Sequence, residues 1–313
     1  MSKRSILTID GGGIRGIVPL CAIIELEKQM GKPAREVFSL LAGTSTGAII
    51  CGGLAQGISA QKMLELYQSL AMEVFRFDLL SFALDLGSFR YRIKPLADLL
   101  HSYVGDITLN ELPVDIMISA TRVADGKPWY FVRDNPANAG TTGKLRLVEC
   151  MTASAAAPTY FEPYDVPGIG VCVDGGVGIA GNPIYQACVE AFYYTPLDTY
   201  APADTAVVAL GTGLMSSGAT PHNLIDWVNW VVGEFQSIPA SQQTELVLRH
   251  FQTASTTRIN PALPRNIGMD DTGAVNELIR IGKEYAATLD WNAILAGKLA
   301  IQPKAGRSQR DQP

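Results

Sequence analysis

Residues 43–47 read Gly-Thr-Ser-Thr-Gly, with Ser45 at their centre. In a G-x-S-x-G run the flanking glycines permit a turn too sharp for side chains. The serine hydroxyl is then lifted clear of the backbone at the start of a helix. A serine hydroxyl attacks a carbonyl only when a base takes its proton. Asp174, in Val-Cys-Val-Asp-Gly-Gly (171–176), is the candidate, because it ends a buried strand and two glycines follow it. A free aspartate, with a pKa of about 3.9, is a weak base. Burial in an apolar setting raises that value and makes proton abstraction more feasible. Acyl transfer also needs donors aimed at the developing oxyanion. Gly11, Gly12 and Gly13 offer successive backbone N–H groups ahead of a helix, and Arg15 brings a positive charge nearby.

The same glycine run admits a rival reading. Gly11, Gly13 and Gly16 spell G-x-G-x-x-G between a strand and a helix, the setting of a dinucleotide-binding loop. That reading requires a carboxylate at the end of the second strand, for the ribose. Thr44, Ser45 and Thr46 stand there instead, and Asp10 would set a negative charge beside a pyrophosphate. The loop therefore reads as a cradle for a transient oxyanion.

A histidine base is the other possibility. His222 and His250 lie downstream of Ser45, as a Ser…Asp…His order allows. Yet only one strand and one helix precede the strand leading to Ser45, too few for the α/β-hydrolase arrangement. His222 reads as a helix start and His250 as mid-helix, so neither is expected to serve Ser45.

These residues need elements to hold them. Buried strands are expected at 5–10, 37–45, 115–123, 127–134, 170–177 and 205–213, with a short one opening 145–166. Helices are expected at 16–31, 46–57, 59–75 (capped by Ser59), 94–105 and 182–194, and in the second part of 145–166. Further helical segments follow at 222–236, 241–254 and 272–296. Alternating strands and helices predict an α/β fold, with a largely parallel sheet covered on both faces. A single domain over 1–303 is the simplest account, with a helical C-terminal portion at about 220–300 and a disordered tail at 304–313.

Composition narrows the function classes. The chain has 313 residues, 47% of them hydrophobic and 18% charged, with a formal net charge of −5. A sizeable core is available, and a nucleic-acid polymer is not the expected partner. Five scattered cysteines without a C-x-x-C fit a reducing cytosol better than a disulfide framework, and no metal site is expected. The N-terminus lacks the apolar run of a signal peptide. The uncharged stretch 37–61 is too broken by Gly, Ser and Thr to read as a membrane span.

Three motifs in this order, DGGGIRG (10–16), GTSTG (43–47) and DGG (174–176), resemble the patatin-like phospholipase family. SAAAPTYFEP (154–163) and LGTG (210–213) are also similar to that family's runs. The resemblance covers roughly residues 5–215. It implies a three-layer α/β/α sandwich and a lipid acyl hydrolase of phospholipase A or lysophospholipase type, needing no cofactor. Ser45 would be the nucleophile and Asp174 the general base, with Gly11, Gly12, Gly13 and Arg15 as the oxyanion site. Some bacterial members act in antiphage signalling, degrading membrane after a cyclic nucleotide binds. A cyclic dinucleotide activator and a homo-oligomer are thus candidate partners, beside a phospholipid or lysophospholipid substrate. A non-catalytic lipid- or nucleotide-binding module is the remaining alternative. The expected location is the cytoplasm, with peripheral membrane contact during action. Residues 76–93, which include Phe82 and Phe89, and residues 224–235 are candidate interfacial segments.

Overall fold

The computed structural model describes residues 4–74, 89–136, 140–195, 199–214, 222 and 241–299. Its frame is one eight-stranded mixed sheet with helices on both faces. The chain opens with β1 (Arg4–Ile9), α1 (Ile17–Met30) and the short α2 (Ala34–Val37). Next come β2 (Leu40–Thr44), α3 (Thr46–Gln56), α4 (Ala60–Glu73) and α5 (Ile93–Val104). The antiparallel pair β3 (Asp115–Arg122) and β4 (Lys127–Val132) leads to α6 (Leu147–Ala155). Then follow β5 (Tyr164–Val166), β6 (Gly170–Asp174), α7 (Ile184–Val189) and β7 (Thr205–Leu210). A helix at 241–250, α8, precedes β8 (Ser255–Ile259), α9 (Val275–Ala286) and α10 (Trp291–Leu295).

The strand order is β5-β6-β3-β2-β1-β7-β8, with β4 also on β3. From β3 through β8 every neighbour is parallel. The pairings of β4, β5 and β6 are antiparallel. The expected α/β sandwich is present, and its parallel half is the half that carries the glycine loop and Ser45. Hydrophobic strands buried on both faces explain why β2, β1 and β7 sit centrally. One face packs α1, α3, α4, α5 and α6, through Ile17, Leu20, Ile50, Leu54, Leu66 and Leu100. The other is covered by α7 and α8, through Ile184, Cys188 and Val247. All five cysteines are buried and free.

Several expected elements differ. No strand opens 145–166: Leu147 already begins α6, and Arg146 makes only an isolated bridge to Thr108. The 37–45 run splits into the end of α2 and β2. The C-terminal portion is not wholly helical, because Ser255–Ile259 adds β8 in parallel beside β7. The segment 75–88, most of 222–236 and the tail at 304–313 lie outside the described residues.

Helix α3 must sit very close to the sheet, since Ser45 joins it directly to β2. A Cβ on Gly47 would lie 2.1 Å from the Ile9 carbonyl oxygen, so only glycine allows this approach. Ser59 caps α4 as expected, its hydroxyl accepting from the Lys62 amide at 3.3 Å. Gly31 ends α1 in the left-handed region, at φ 65°.

Candidate active site

Ser45 has φ 56° and ψ −123°, a conformation that L-residues rarely adopt. Such strain persists only where the surroundings hold it. Here they do. The Ser45 amide donates to Ser154 Oγ at 2.8 Å, from α6. The Ser45 carbonyl accepts from Ala48 and Ile49 and so starts α3. On the other side Thr44 Oγ1 bonds Ser119 Oγ, at 2.6 Å, and the Ala180 carbonyl. The turn at Ser45 is thus pinned from α6, β3 and the loop after β6. The SAAAP run was noted in the sequence, but the task of Ser154 has no local signature.

Asp174 reaches this edge from the opposite direction. The sequence placed it at the end of a buried strand in a largely parallel sheet; β6 is antiparallel to β3, with Asp174 opposite Ala120. Ser119, one residue before, pairs with Thr44. The reversal of strand direction therefore delivers Asp174 to the same end of the sheet as the residue that precedes Ser45. The carboxyl is buried. Oδ1 accepts from the Gly176 amide at 2.7 Å, whereas Oδ2 has no hydrogen-bond partner among the described residues. Burial pushes its pKa up to about 6, against the lowering pull of the Ser45 hydroxyl and the Gly176 amide. A carboxyl at that value is ionised near neutrality and still basic enough to take a proton.

The glycine loop lies against Ser45, since a Cβ on Gly11 would stand 3.3 Å from Ser45 Cβ. Its three amides are not equivalent. The Gly11 amide is taken by the Gly181 carbonyl at 3.0 Å, which corrects the expectation of three open donors. Among the described residues the amides of Gly12 and Gly13 make no hydrogen bond. The Thr46 amide, first in α3, is equally open. It was missed in the sequence, although the residue after an elbow serine is a standard donor position. Gly13 has φ 59°, and a Cβ there would lie 2.3 Å from the Met269 carbonyl.

Arg15 is buried and donates from Nε to the Gly12 carbonyl at 3.2 Å. It fixes the loop's shape and does not line the adjoining cavity. Asp10 is held by Arg258 of β8, not through backbone bonds of its own loop. Thr212 of the LGTG run donates to the Gly11 carbonyl at 2.8 Å. His101 bonds Asp106 and His250 bonds the Tyr185 hydroxyl, so neither turns to Ser45. Among the described residues no cluster of three or more His, Cys, Asp or Glu is arranged to hold a metal.

An apolar cavity opens from Ser45, with about 500 Å³ of free space including its mouth. Ile49, Tyr67, Leu70, Leu96 and Phe161 line it, together with Gly13, Thr46 and Met269. The Tyr67 hydroxyl, one of the polar groups in its wall beside those of Thr46 and Tyr160, is spent on Thr46, donating to its carbonyl at 3.0 Å. A serine on a strained turn, a buried carboxylate, open amides and an apolar slot therefore meet at one sheet edge. This arrangement suits transfer of an acyl group with a hydrocarbon chain.

Comparison with known proteins agrees with that chemistry. Residues 7–188 match the family model described as patatin-like phospholipase. The chain is similar to a cGAMP-activated phospholipase of Escherichia coli, 31% identical over 198 residues, covering 60% of this chain and 55% of that protein. It is also similar to a cGAMP-activated phospholipase of Vibrio cholerae, 27% identical over 299 residues, covering 85% of this chain and 84% of that one. An 85/88 kDa calcium-independent phospholipase A2 of Mus musculus is 30% identical over 254 residues, 72% of this chain and 29% of that protein. The chain thus spans about half the length of the first of these relatives and most of the second.

Proposed function

The chain belongs to the patatin-like phospholipase family, and from that premise we propose that it hydrolyses fatty-acyl esters of phospholipids or lysophospholipids through Ser45 and Asp174. The carrying observation is the buried, unpartnered Oδ2 of a carboxyl whose pKa the Ser45 hydroxyl influences. Asp174 takes the Ser45 proton as Oγ attacks the ester carbonyl. The amides of Gly12, Gly13 and Thr46 receive the oxyanion. The tetrahedral intermediate collapses to an acyl-serine, and Asp174 returns its proton to the departing alcohol. Water, deprotonated by Asp174, then attacks the acyl-serine and releases the fatty acid, while the proton passes back to Ser45. The apolar cavity accepts the acyl chain. Peripheral contact with a membrane surface is part of this reading, because the substrate resides there. Among the described residues no helix is long and apolar enough to cross a membrane.

Control by a cyclic dinucleotide is a second reading, supported by the names of two relatives. Lipid mass spectrometry of products, with and without a panel of cyclic dinucleotides, tests both. Fatty-acid release that vanishes in Ser45→Ala is expected. Undiminished release in that variant overturns the dyad. Activity independent of every nucleotide removes the second reading alone.

A further inference from the structure

The conformation of Gly13, at φ 59°, is set from outside its own loop. The next amide, of Ile14, donates to the Met269 carbonyl at 2.8 Å. That carbonyl also fills the space a Cβ on Gly13 would need. The open amides of Gly12 and Gly13 therefore take their direction from the backbone of Met269, in the connection between β8 and α9. Local turns shape this connection, with the Asp271 amide on the Gly268 carbonyl and the Thr272 amide on the Asp270 carbonyl. The Asp270 side chain then joins it to a distant part of the chain. Its Oδ2 accepts from the Tyr91 hydroxyl at 2.8 Å and from Arg90 Nη1 at 2.5 Å. Tyr91 in turn holds another part of the cavity lining. Its amide donates to the Tyr160 carbonyl at 2.7 Å, and its ring lies 5.8 Å from that of Phe161. Tyr160 and Phe161 line the cavity, as do Gly13 and Met269. The Arg90 amide donates to the Thr159 carbonyl at 3.3 Å. Thr159 has φ 72°; among the described residues it and Ser45 are the non-glycine residues with positive φ. Strain of this kind persists only where neighbours hold it. One carboxylate thus ties the segment that shapes the candidate oxyanion donors to the strained turn that supplies Tyr160 and Phe161.

We propose that Asp270 is a positioning residue for acyl transfer. Bonded to Tyr91, it holds Met269, and through Met269 the Gly12 and Gly13 amides, in register with the acyl cavity. The proposal rests on the ester hydrolysis proposed above and adds a residue outside the dyad and the glycine loop. The two contacts of Asp270 differ in weight. The Arg90 side chain is 48% exposed, so solvent screens its ion pair. Tyr91 is buried, and its hydroxyl bond to a carboxylate is charge-assisted. An oxyanion donor acts fully only at about 2.7–3.1 Å from the charged oxygen. A displacement of about 1 Å costs about 10²-fold in rate. Without the Tyr91–Asp270 bond the amides drift, whereas the Ser45 turn, pinned from α6 and β3, stays where it is.

The test uses the full chain and p-nitrophenyl butyrate, with kcat expressed per serine titrated by a fluorophosphonate. Asp270→Ala is expected to lower kcat by about 10–10²-fold, with KM within about twofold. Tyr91→Phe keeps the ring and removes the bond, and is expected to lower kcat by about tenfold. Asp270→Asn keeps an acceptor for the Tyr91 hydroxyl and is expected to recover most of the loss seen in Asp270→Ala. Adding Tyr91→Phe to Asp270→Ala is expected to change nothing further, because the two groups act through one bond. A short alkyl trifluoromethyl ketone, whose adduct with Ser45 places an oxyanion on the same amides, supplies the second readout. Its inhibition constant is expected to rise by the factor by which kcat/KM falls. A support for the fold alone would reduce the titratable serine and leave kcat per serine and the inhibition constant unchanged, and that result overturns the proposal. So do additive losses in the double variant, or a loss confined to KM. Should Asp270→Ala not fold, Tyr91→Phe decides by the same two readouts. If the unsubstituted chain hydrolyses neither this ester nor phospholipid, the proposed function itself is refuted, and the positioning role with it.

Discussion

Arg258, on β8, grips both carboxylate oxygens of Asp10, the residue immediately before the glycine loop. Nη1 donates to Oδ1 at 2.8 Å and Nη2 to Oδ2. Both side chains are largely buried. The pair ties the C-terminal strand to the start of the candidate oxyanion loop. Removing one partner from a buried pair leaves an uncompensated charge, at about 3–5 kcal/mol. Arg258→Ala is therefore expected to lower stability by that order and to reduce kcat as the loop loosens. Replacing both residues, as in Asp10→Asn with Arg258→Met, is expected to recover much of the stability. Denaturant unfolding of both variants beside the unsubstituted chain checks this, and equal losses in the single and the double variant would contradict it.

Asp174, as the proposed base, is expected to make activity and stability respond to pH in opposite directions. As a general base it must be ionised, so kcat/KM is expected to fall as pH drops through about 6. The folded chain holds this proton up to about pH 6 and the unfolded chain only to the usual value near 3.8. Between those values the folded state binds more protons. The stabilising contribution is thus full below about 3.8 and lost as pH rises through about 6, amounting to roughly 3 kcal/mol. Asp174→Asn retains an acceptor for the Gly176 amide and carries no charge. It is expected to raise the melting temperature at pH 8, to lose that advantage near pH 4, and to lower kcat by about 10²–10⁴. A lower melting temperature at pH 8 would show that ionised Asp174 stabilises the fold.

Ser154 is expected to act on catalysis through Ser45 alone. Its hydroxyl accepts the Ser45 amide in a fully buried setting. Ser154→Ala leaves that amide without an acceptor, a loss of about 1–3 kcal/mol. The strained turn at φ 56° then has less to hold it. A fall in kcat with KM nearly unchanged is expected, with partial recovery in Ser154→Thr, which restores an acceptor. Steady-state kinetics on a soluble ester separate these terms, and a KM effect alone would place Ser154 in substrate binding instead.

Physical locality separates what was readable in the chain from what was not. Ser45 is legible because five residues dictate an elbow, and Asp174 as the end of a buried strand before two glycines, although Asp-Gly-Gly alone equally suits a structural turn. The glycine loop is legible as a cradle, but not the capture of the Gly11 amide by Gly181, 170 positions away. β8 escaped notice because Ser-Thr-Thr-Arg-Ile is short and polar, between helical patterns. Its Thr residues favour a strand only once β7 is beside it. Arg258 and Met269 reach the loop by tertiary placement, which no spacing encodes. The antiparallel direction of β6 is likewise a property of the assembled sheet.

Chain-length preference should be set by the cavity-lining residues that come from helices other than α3. Ile49 stands one turn from Ser45 along α3, whereas Leu70 and Leu96 come from α4 and α5. Each buried methylene contributes about 0.8 kcal/mol, close to a fourfold change in kcat/KM. Leu70→Trp fills space that a long acyl chain would occupy and leaves the edge around Ser45 untouched. Hydrolysis of p-nitrophenyl butyrate is expected to persist. Selectivity for longer esters is expected to fall by about fourfold for each methylene excluded, near 10²-fold for about four. A kcat/KM series over p-nitrophenyl esters of increasing length measures this slope. A uniform loss at all lengths would mean that Leu70 supports the fold and that the acyl chain runs elsewhere.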